Sequence, residues 1–283
     1  AWREDLPATT RFLVRVRPGF DPGTHPHLAT GARGSKFGVP LEEATDLARE
    51  VARAGRLAGL HVHAGSMIED PDVHRTVLER LDPLLDALPD ARTVDLGGGF
   101  AVPRFDLDGF AQAVGAWAAE RGVTLLLEPG RWLVADAGVL LTRVLWRKED
   151  EALHWICDAG MAQLLRPALY GAEHPIRVVR PGGLVTGGGT AADAAAAAGP
   201  GDVDGPLCEN ADRLGRGRTL DAAPGDVLAV ERAGAYGMAM ASNYASDLRP
   251  AEVVVEDGRE RLVRLRETPD DLWRLEDGAK SAS

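Results

Sequence analysis

The chain is short of the features that mark several large protein classes. Its only cysteines, Cys157 and Cys208, stand 51 positions apart. They give no basis for the disulfide framework of a secreted domain and leave at least one thiol free for chemistry. That usage suits a reducing, cytoplasmic compartment. No apolar run approaches the ~20 residues that a membrane-crossing helix needs. The opening residues, AWREDLPATT, carry neither an initiator Met nor a secretory signal pattern, so the chain is expected to begin in mid-protein or after processing. Surplus positive charge is missing too. The formal net charge is −11, and acids balance every cluster of arginines, which argues against nucleic acid as a ligand. A small-molecule substrate fits, with neither nucleic acid nor membrane as partner.

At 283 residues the chain can bury a large core, and its texture predicts two domains. Four segments repeat one pattern, a short apolar run ending in polar or Gly-rich residues: RFLVRVRP (11–18), GLHVHAGS (59–66), TVDLGGGF (93–100) and TLLLEPGR (124–131). They read as buried parallel strands with functional C-terminal ends. Between them, residues 41–58, 72–88 and 107–121 have acidic starts and apolar residues at helical spacing. Alternation of this kind means a parallel sheet with right-handed crossovers. After about Thr142 strand-like pieces separated by Gly, Pro and acidic turns predict an antiparallel β domain. The expected division is 1–143, 144–277 and a frayed tail, 278–283. Residues 180–202 are rich in Gly and Ala and read as a flexible loop holding at most one Ala-rich helical turn. No Gly-Lys-Ser/Thr follows its glycines, which excludes a nucleotide-phosphate loop.

Candidate chemistry clusters at the strand ends. The Gly97-Gly98-Gly99 turn can bring bare N–H groups against a phosphate, although a tight structural turn explains a glycine triplet equally well. Glu128-Pro129-Gly130-Arg131 is either half of a structural ion pair or a functional pair, with Glu128 holding a pyridine nitrogen protonated and Arg131 adding charge for a phosphate or carboxylate. His61 and His63 flank Val62 in a strand and so face the same side, with Ser66 close behind. No third ligand at suitable spacing supports zinc. The alternatives are a satisfied core histidine and an imidazole stacked on a flat cofactor ring with Ser66 on its phosphate. Cys208-Glu209, within GPLCENAD, is either a buried structural cysteine or a thiol exposed enough to donate a proton.

Together these residues resemble a family. SKFG (35–38), HVHAGS (61–66), VDLGGGF (94–100), EPGRWLVADAGVLLTRV (128–144), DAGMAQLLRPALYGAEHPI (158–176), GPLCENAD (205–212), AGAYGMAMASNY (233–244) and RPAEVVVEDG (249–258) with the later RLRET stand in the order found in diaminopimelate decarboxylases. Those enzymes have the alanine-racemase-like fold of pyridoxal-phosphate proteins. The resemblance implies an α/β + β architecture, the C-terminal half of a (β/α)8 TIM-like barrel followed by an antiparallel β-sandwich or β-barrel domain. It implies pyridoxal 5′-phosphate as cofactor and an amino-acid substrate, meso-2,6-diaminopimelate, decarboxylated to L-lysine in the last step of lysine biosynthesis. His63 resembles the residue that stacks on the ring, and Ser66, Gly98 and Gly99 the phosphate contacts. Glu128 resembles the partner of the pyridine nitrogen, with Gly130 and Arg131 beside it in the cofactor site. Tyr236 resembles the residue that touches both phosphate and substrate.

Arg131, Arg166 and Tyr170 resemble the groups that hold the distal carboxylate, and Glu209 the group on the distal ammonium. Cys208 resembles the acid that protonates the α-carbon, reaching its site from the other subunit of a head-to-tail homodimer with shared active sites. A carboxylate at position 128 favours decarboxylation over racemisation, for which the fold uses arginine. Four strands fall short of eight, and none of Lys36, Lys148 and Lys280 matches the cofactor-bearing lysine of the family, which is expected upstream. Met67 and Asn210-Ala211 stand where the family has Gln and Ser/Thr-Gly. Sibling decarboxylases of D-ornithine, D-lysine or a carboxylated polyamine are the nearest alternatives, and an inactive regulatory homologue is a further one.

Overall fold

A computed structural model describes residues 6–19, 35–180, 183–185 and 200–280. The chain forms two compact units, residues 1–133 and 134–283.

In the first unit five strands form one parallel sheet in the order β2-β1-β3-β4-β5. They are β1 (Phe12–Arg17), β2 (Val39–Pro40), β3 (Leu57–His61), β4 (Thr93–Asp95) and β5 (Thr124–Leu126), with helices α1 (Leu41–Arg53), α2 (Asp72–Asp86) and α3 (Leu107–Arg121) between them. Each helix buries one stripe: Ala44 and Ala48 from α1, Val77, Leu78, Leu81 and Leu85 from α2, Phe110, Val114 and Ala118 from α3. These meet Leu60, Val62, Val94 and Leu96 of the sheet in one core. The ends of α3 follow from its sequence. Asp106 caps the start by accepting from Gly109 N at 2.9 Å, and Gly122 closes the end at φ 63°. The expected helix over 41–58 stops at Arg53, because Gly55 turns the chain at φ 66° and Leu57 and Ala58 enter β3. The two-residue β2 escaped the sequence reading, being too short to form an apolar run.

The second unit begins at the end of α4 (Gly130–Val134). Its strands are β6 (Leu140–Glu149), β7 (Leu153–Cys157), β8 (Ile176–Arg180), β9 (Gly183–Val185), β10 (Gly201–Asp204), β11 (Arg213–Arg218) and β12 (Val227–Val230), ordered β11-β10-β7-β6-β12-β8-β9. β6 straddles the expected junction at 143/144 and belongs whole to this sheet. The sheet is antiparallel except where β10 runs parallel to β7. That departure from the expected all-antiparallel domain has a topological cause: the chain leaves β7, visits β8 and β9 and returns in the original direction, which no hairpin does. The core is built on Trp155, Leu164, Leu214 and Leu228, all fully buried, with Trp155 Nε1 donating to Ala222 O at 3.0 Å. Short helices α5 (Arg166–Tyr170) and α6 (Gly237–Met240) carry candidate site residues. A hairpin, β13 (Glu252–Glu256) with β14 (Arg259–Arg264), precedes α7 (Pro269–Lys280).

The stretch expected to be one flexible loop is partly strand. Gly183 pairs with Arg180 in β9, and Gly201 opens β10. Its Ala-rich centre lies outside the described residues. So do residues 281–283 of the expected tail, whereas 278–280 complete α7. Among the described residues no helix is long and apolar enough to cross a membrane.

Candidate active site

The parallel register of the first unit places the ends of β3, β4 and β5 side by side, His61 opposite Asp95 and Asp95 opposite Leu126. Backbone bonds continue past the strands, Val62 N to Asp95 O at 2.8 Å and Glu128 N to Gly97 O at 2.8 Å. This is where α/β sheets carry their ligands. One ligand atom each from His61, Asp95 and Glu128 lies within 4.8 Å of the others, and His61 Nε2 stands 3.8 Å from Glu128 Oε2. The sequence offered no third partner for the histidine pair because linear spacing does not show convergence from neighbouring strands. Asp95 Oδ1 already accepts from Gly97 N at 2.8 Å. Burial lowers the His61 pKa most, and Arg15 lowers it further, against the raising effects of Asp95 and Glu128. The imidazole beside Glu128 is therefore neutral near pH 7. Arg15, opposite His61 in the β1–β3 register, is itself held below its usual value by burial while Glu128 pulls it up.

His63 is also shifted down, by burial first and then by Arg15 and His61. Its Nδ1 accepts from Gly98 N at 3.2 Å, which puts the ring proton on Nε2. The Gly98 N–H that the resemblance assigns to a phosphate is engaged by this ring. The triplet leaves no room for side chains: a Cβ at Gly97 would meet His63, one at Gly98 the Glu128 carbonyl and one at Gly99 the Gly65 carbonyl, and Gly97 and Gly99 have φ of 67° and 99°. Ser66 and Arg131, 65 residues apart in sequence, meet at 3.2 Å from guanidinium to Oγ. Gly130 opens α4 one residue before Arg131.

The second unit holds two further groups. In one, Arg166 at the start of α5 lies with its guanidinium carbon 5.9 Å from the centre of the Tyr236 ring. Arg166 Nη1 is 3.3 Å from His174 Nε2, and His174 Nδ1 is 2.9 Å from the Glu231 carbonyl. A carbonyl only accepts, so Nδ1 carries the proton and Nε2 receives the guanidinium N–H. Tyr170 ends α5. Tyr236 has φ 64°, a left-handed conformation that a bulky residue adopts only when its surroundings impose it. In the other group Cys208 and Glu209 are exposed, and Tyr244 donates its hydroxyl to Glu209, which raises the tyrosine pKa. Cys157 is different. Burial drives its pKa up to about 12, and Cys208 is the exposed thiol of the two.

Arg15, Asp95, His174 and Tyr244 were not singled out from sequence. All four lay inside stretches quoted above, but only their spatial partners give them a part.

Comparison with known proteins identifies the family. The family model described as "Pyridoxal-dependent decarboxylase, C-terminal sheet domain" matches residues 32–234. The diaminopimelate decarboxylase of Deinococcus radiodurans is 40% identical over 273 residues, covering 96% of this chain and 68% of that protein. That of Neisseria meningitidis serogroup A is 39% identical over 275 residues, covering 93% and 65%. The crystal structure of diaminopimelate decarboxylase from Helicobacter pylori complexed with L-lysine superposes with a TM-score of 0.83 at 35% identity, covering 95% of this chain and 67% of that one. The chain thus spans about two thirds of the length of these relatives.

Proposed function

Because the chain belongs to the pyridoxal-dependent decarboxylases, we propose that it is the larger part of a cytoplasmic diaminopimelate decarboxylase, which converts meso-2,6-diaminopimelate to L-lysine and CO2. In this reading the first unit contributes strands to a (β/α)8 barrel completed by an upstream region that also carries the cofactor-bearing lysine. The second unit is the β-sandwich or β-barrel domain, and two copies form a head-to-tail homodimer with shared active sites.

The residues of the first unit fit pyridoxal 5′-phosphate. The buried His61 Nε2 has no hydrogen-bond partner among the described residues and faces the Glu128 carboxylate. Glu128, the only anion in that pairing, is suited to accept from a protonated ring nitrogen. Ser66 and Arg131 are the donors for the phosphate, with open space at Gly130 for it. When bound, the cofactor supplies the electron sink into which the bond to the departing carboxylate breaks.

The chain's own residues do the rest. Glu128 keeps a proton on the ring nitrogen, and neutral His61 does not compete with that ring for the carboxylate. His63, pinned by Gly98, flanks the ring. Arg166 and Tyr170 hold the distal carboxylate, Glu209 holds the distal ammonium, and Tyr236 contacts the substrate. Cys208 delivers its thiol proton to the α-carbon once CO2 has left. The observation that carries the reading is the carboxylate at the end of β5 beside a neutral imidazole, since a strong sink serves decarboxylation. The test is to express the chain with its upstream region, load it with cofactor and supply meso-diaminopimelate. L-lysine and CO2 in equal amounts are expected, and a protein that holds cofactor yet forms no lysine would overturn the proposal.

A further inference from the structure

Asp212 is a carboxylate with 2% exposure in the second unit, four residues beyond Cys208. It accepts from two segments at once: Met161 N reaches Oδ1 at 2.5 Å and Leu207 N reaches Oδ2 at 2.7 Å. Its own backbone closes the intervening loop from both sides, Asp212 N donating to Glu209 O at 3.0 Å and Gly205 N donating to Asp212 O at 2.8 Å. Gly160 and Gly205 press against the same carboxylate, where a Cβ on either would overlap its oxygens. A buried carboxylate is costly unless it is hydrogen-bonded, and here two main-chain donors from distant parts of the chain meet that need. The loop it closes carries Cys208 and Glu209, and the segment it is tied to, residues 158–161, directly follows β7.

We infer that Asp212 is a positioning residue for the proposed proton donor: its carboxylate clamps the loop of residues 205–212 to the segment after β7 and so fixes where the Cys208 thiol points. The inference rests on the role proposed above for Cys208. A thiol held by one short loop is a good proton donor only if the loop has one conformation, because misplacing a reacting group by about 1 Å costs up to about a hundredfold. An acceptor with two oxygens fits this task better than an amide, which would turn an N–H toward one of the two N–H donors.

The experiment uses the complete, cofactor-loaded enzyme with Asp212→Asn. The rate of iodoacetamide reaction at Cys208, read by peptide mass with buried Cys157 as the internal control, is expected to change about fivefold or more. Turnover is expected to fall about tenfold to a hundredfold with KM within about twofold. Turnover in D2O should give product that has lost stereochemical purity at the deuterated carbon, a signature that general destabilisation does not produce. Gly160→Ala, which pushes on the same carboxylate from the other side, should repeat the pattern and stands in if the asparagine variant does not fold. Parental alkylation rate and parental stereochemical purity in a folded variant would overturn the inference. Failure of both variants to fold would overturn it as well, by making the carboxylate a requirement of the whole fold. The alkylation rate does not depend on what Cys208 does chemically. A changed rate with unchanged turnover and stereochemistry would therefore uphold the clamp while removing Cys208 from the mechanism.

Discussion

His61 Nε2 and Glu128 Oε2 lie 3.8 Å apart at the ends of β3 and β5, a neutral imidazole beside a carboxylate. Were His61 protonated, the pair would be an ion pair and much of the Glu128 charge would be spent on it. Burial and Arg15 keep His61 neutral, and in the function proposed above the carboxylate serves the ring nitrogen.

The first prediction follows from this pairing. Glu128→Gln in the complete enzyme is expected to retain bound cofactor and lose turnover by about a hundredfold, since an amide does not hold a proton on the ring nitrogen. The cofactor's absorption spectrum should shift with it. Parental turnover with an unshifted spectrum would show that the carboxylate does not act on the ring.

Cys208→Ala should bind cofactor as the parent does and turn over about a hundredfold more slowly or worse, as expected on removal of a placed proton donor. Cys157→Ala is the control. That thiol is buried, with its pKa pushed up to about 12, so its loss should show in thermal stability and leave turnover within a few-fold. Steady-state assays on the two variants separate the roles.

Much of this arrangement was legible in the sequence. The ends of α3 could be read from Asp106 and Gly122, and the four apolar runs marked β1, β3, β4 and β5, because parallel strands leave a dense apolar signature; the burial expected of all four fails at β5, where Thr124 and Leu126 are exposed. What could not be read is convergence. Asp95 lies in a quoted motif, yet nothing linear reveals that register sets it opposite His61. Asp212 closes the quoted GPLCENAD motif, but its partner Met161 is 51 positions upstream. The left-handed Tyr236 and the parallel pairing of β7 with β10 are likewise products of tertiary packing and of the path between elements, which residue types do not encode locally.

In the function proposed above, Arg166 carries the choice of substrate. Arg166→Ala should raise KM for diaminopimelate by about tenfold to a hundredfold, the loss of one charge-assisted contact, and should affect a D-amino acid lacking the second carboxylate much less. The His174 ring, which receives the Arg166 N–H, would lose that partner in the same variant, so Arg166→Lys is a useful second comparison. Equal losses on both substrates would make Arg166 a structural residue of α5.

The last prediction concerns stability. His74 is 1% exposed on α2, and its ring sits among Phe100, Phe105 and Phe110 at centroid distances of 5.5, 5.9 and 5.0 Å. Neither ring nitrogen has a hydrogen-bond partner among the described residues, the Pro71 carbonyl opposing the shift without reaching bonding geometry. Burial, helped by the proximity of the His63 imidazole, takes its pKa from 6.5 down to about 4. In the folded protein His74 is therefore neutral at pH values where the unfolded chain already binds a proton. Between pH 6.5 and 4 the unfolded state holds more protons, so stability falls as the pH is lowered through that window and the contribution of this group levels off below it. A shift of this size corresponds to about 3 kcal/mol. His74→Leu removes the titration and two unsatisfied nitrogens from an apolar site. At pH 7 the variant is expected to be as stable as the parent or more so. Urea denaturation of both proteins at pH 7 and pH 4 should show the variant's advantage growing by about 3 kcal/mol at the lower pH. The other titrating groups are common to the two chains and cancel in the difference. An advantage that stays constant with pH would mean that His74 finds a proton partner in the folded state.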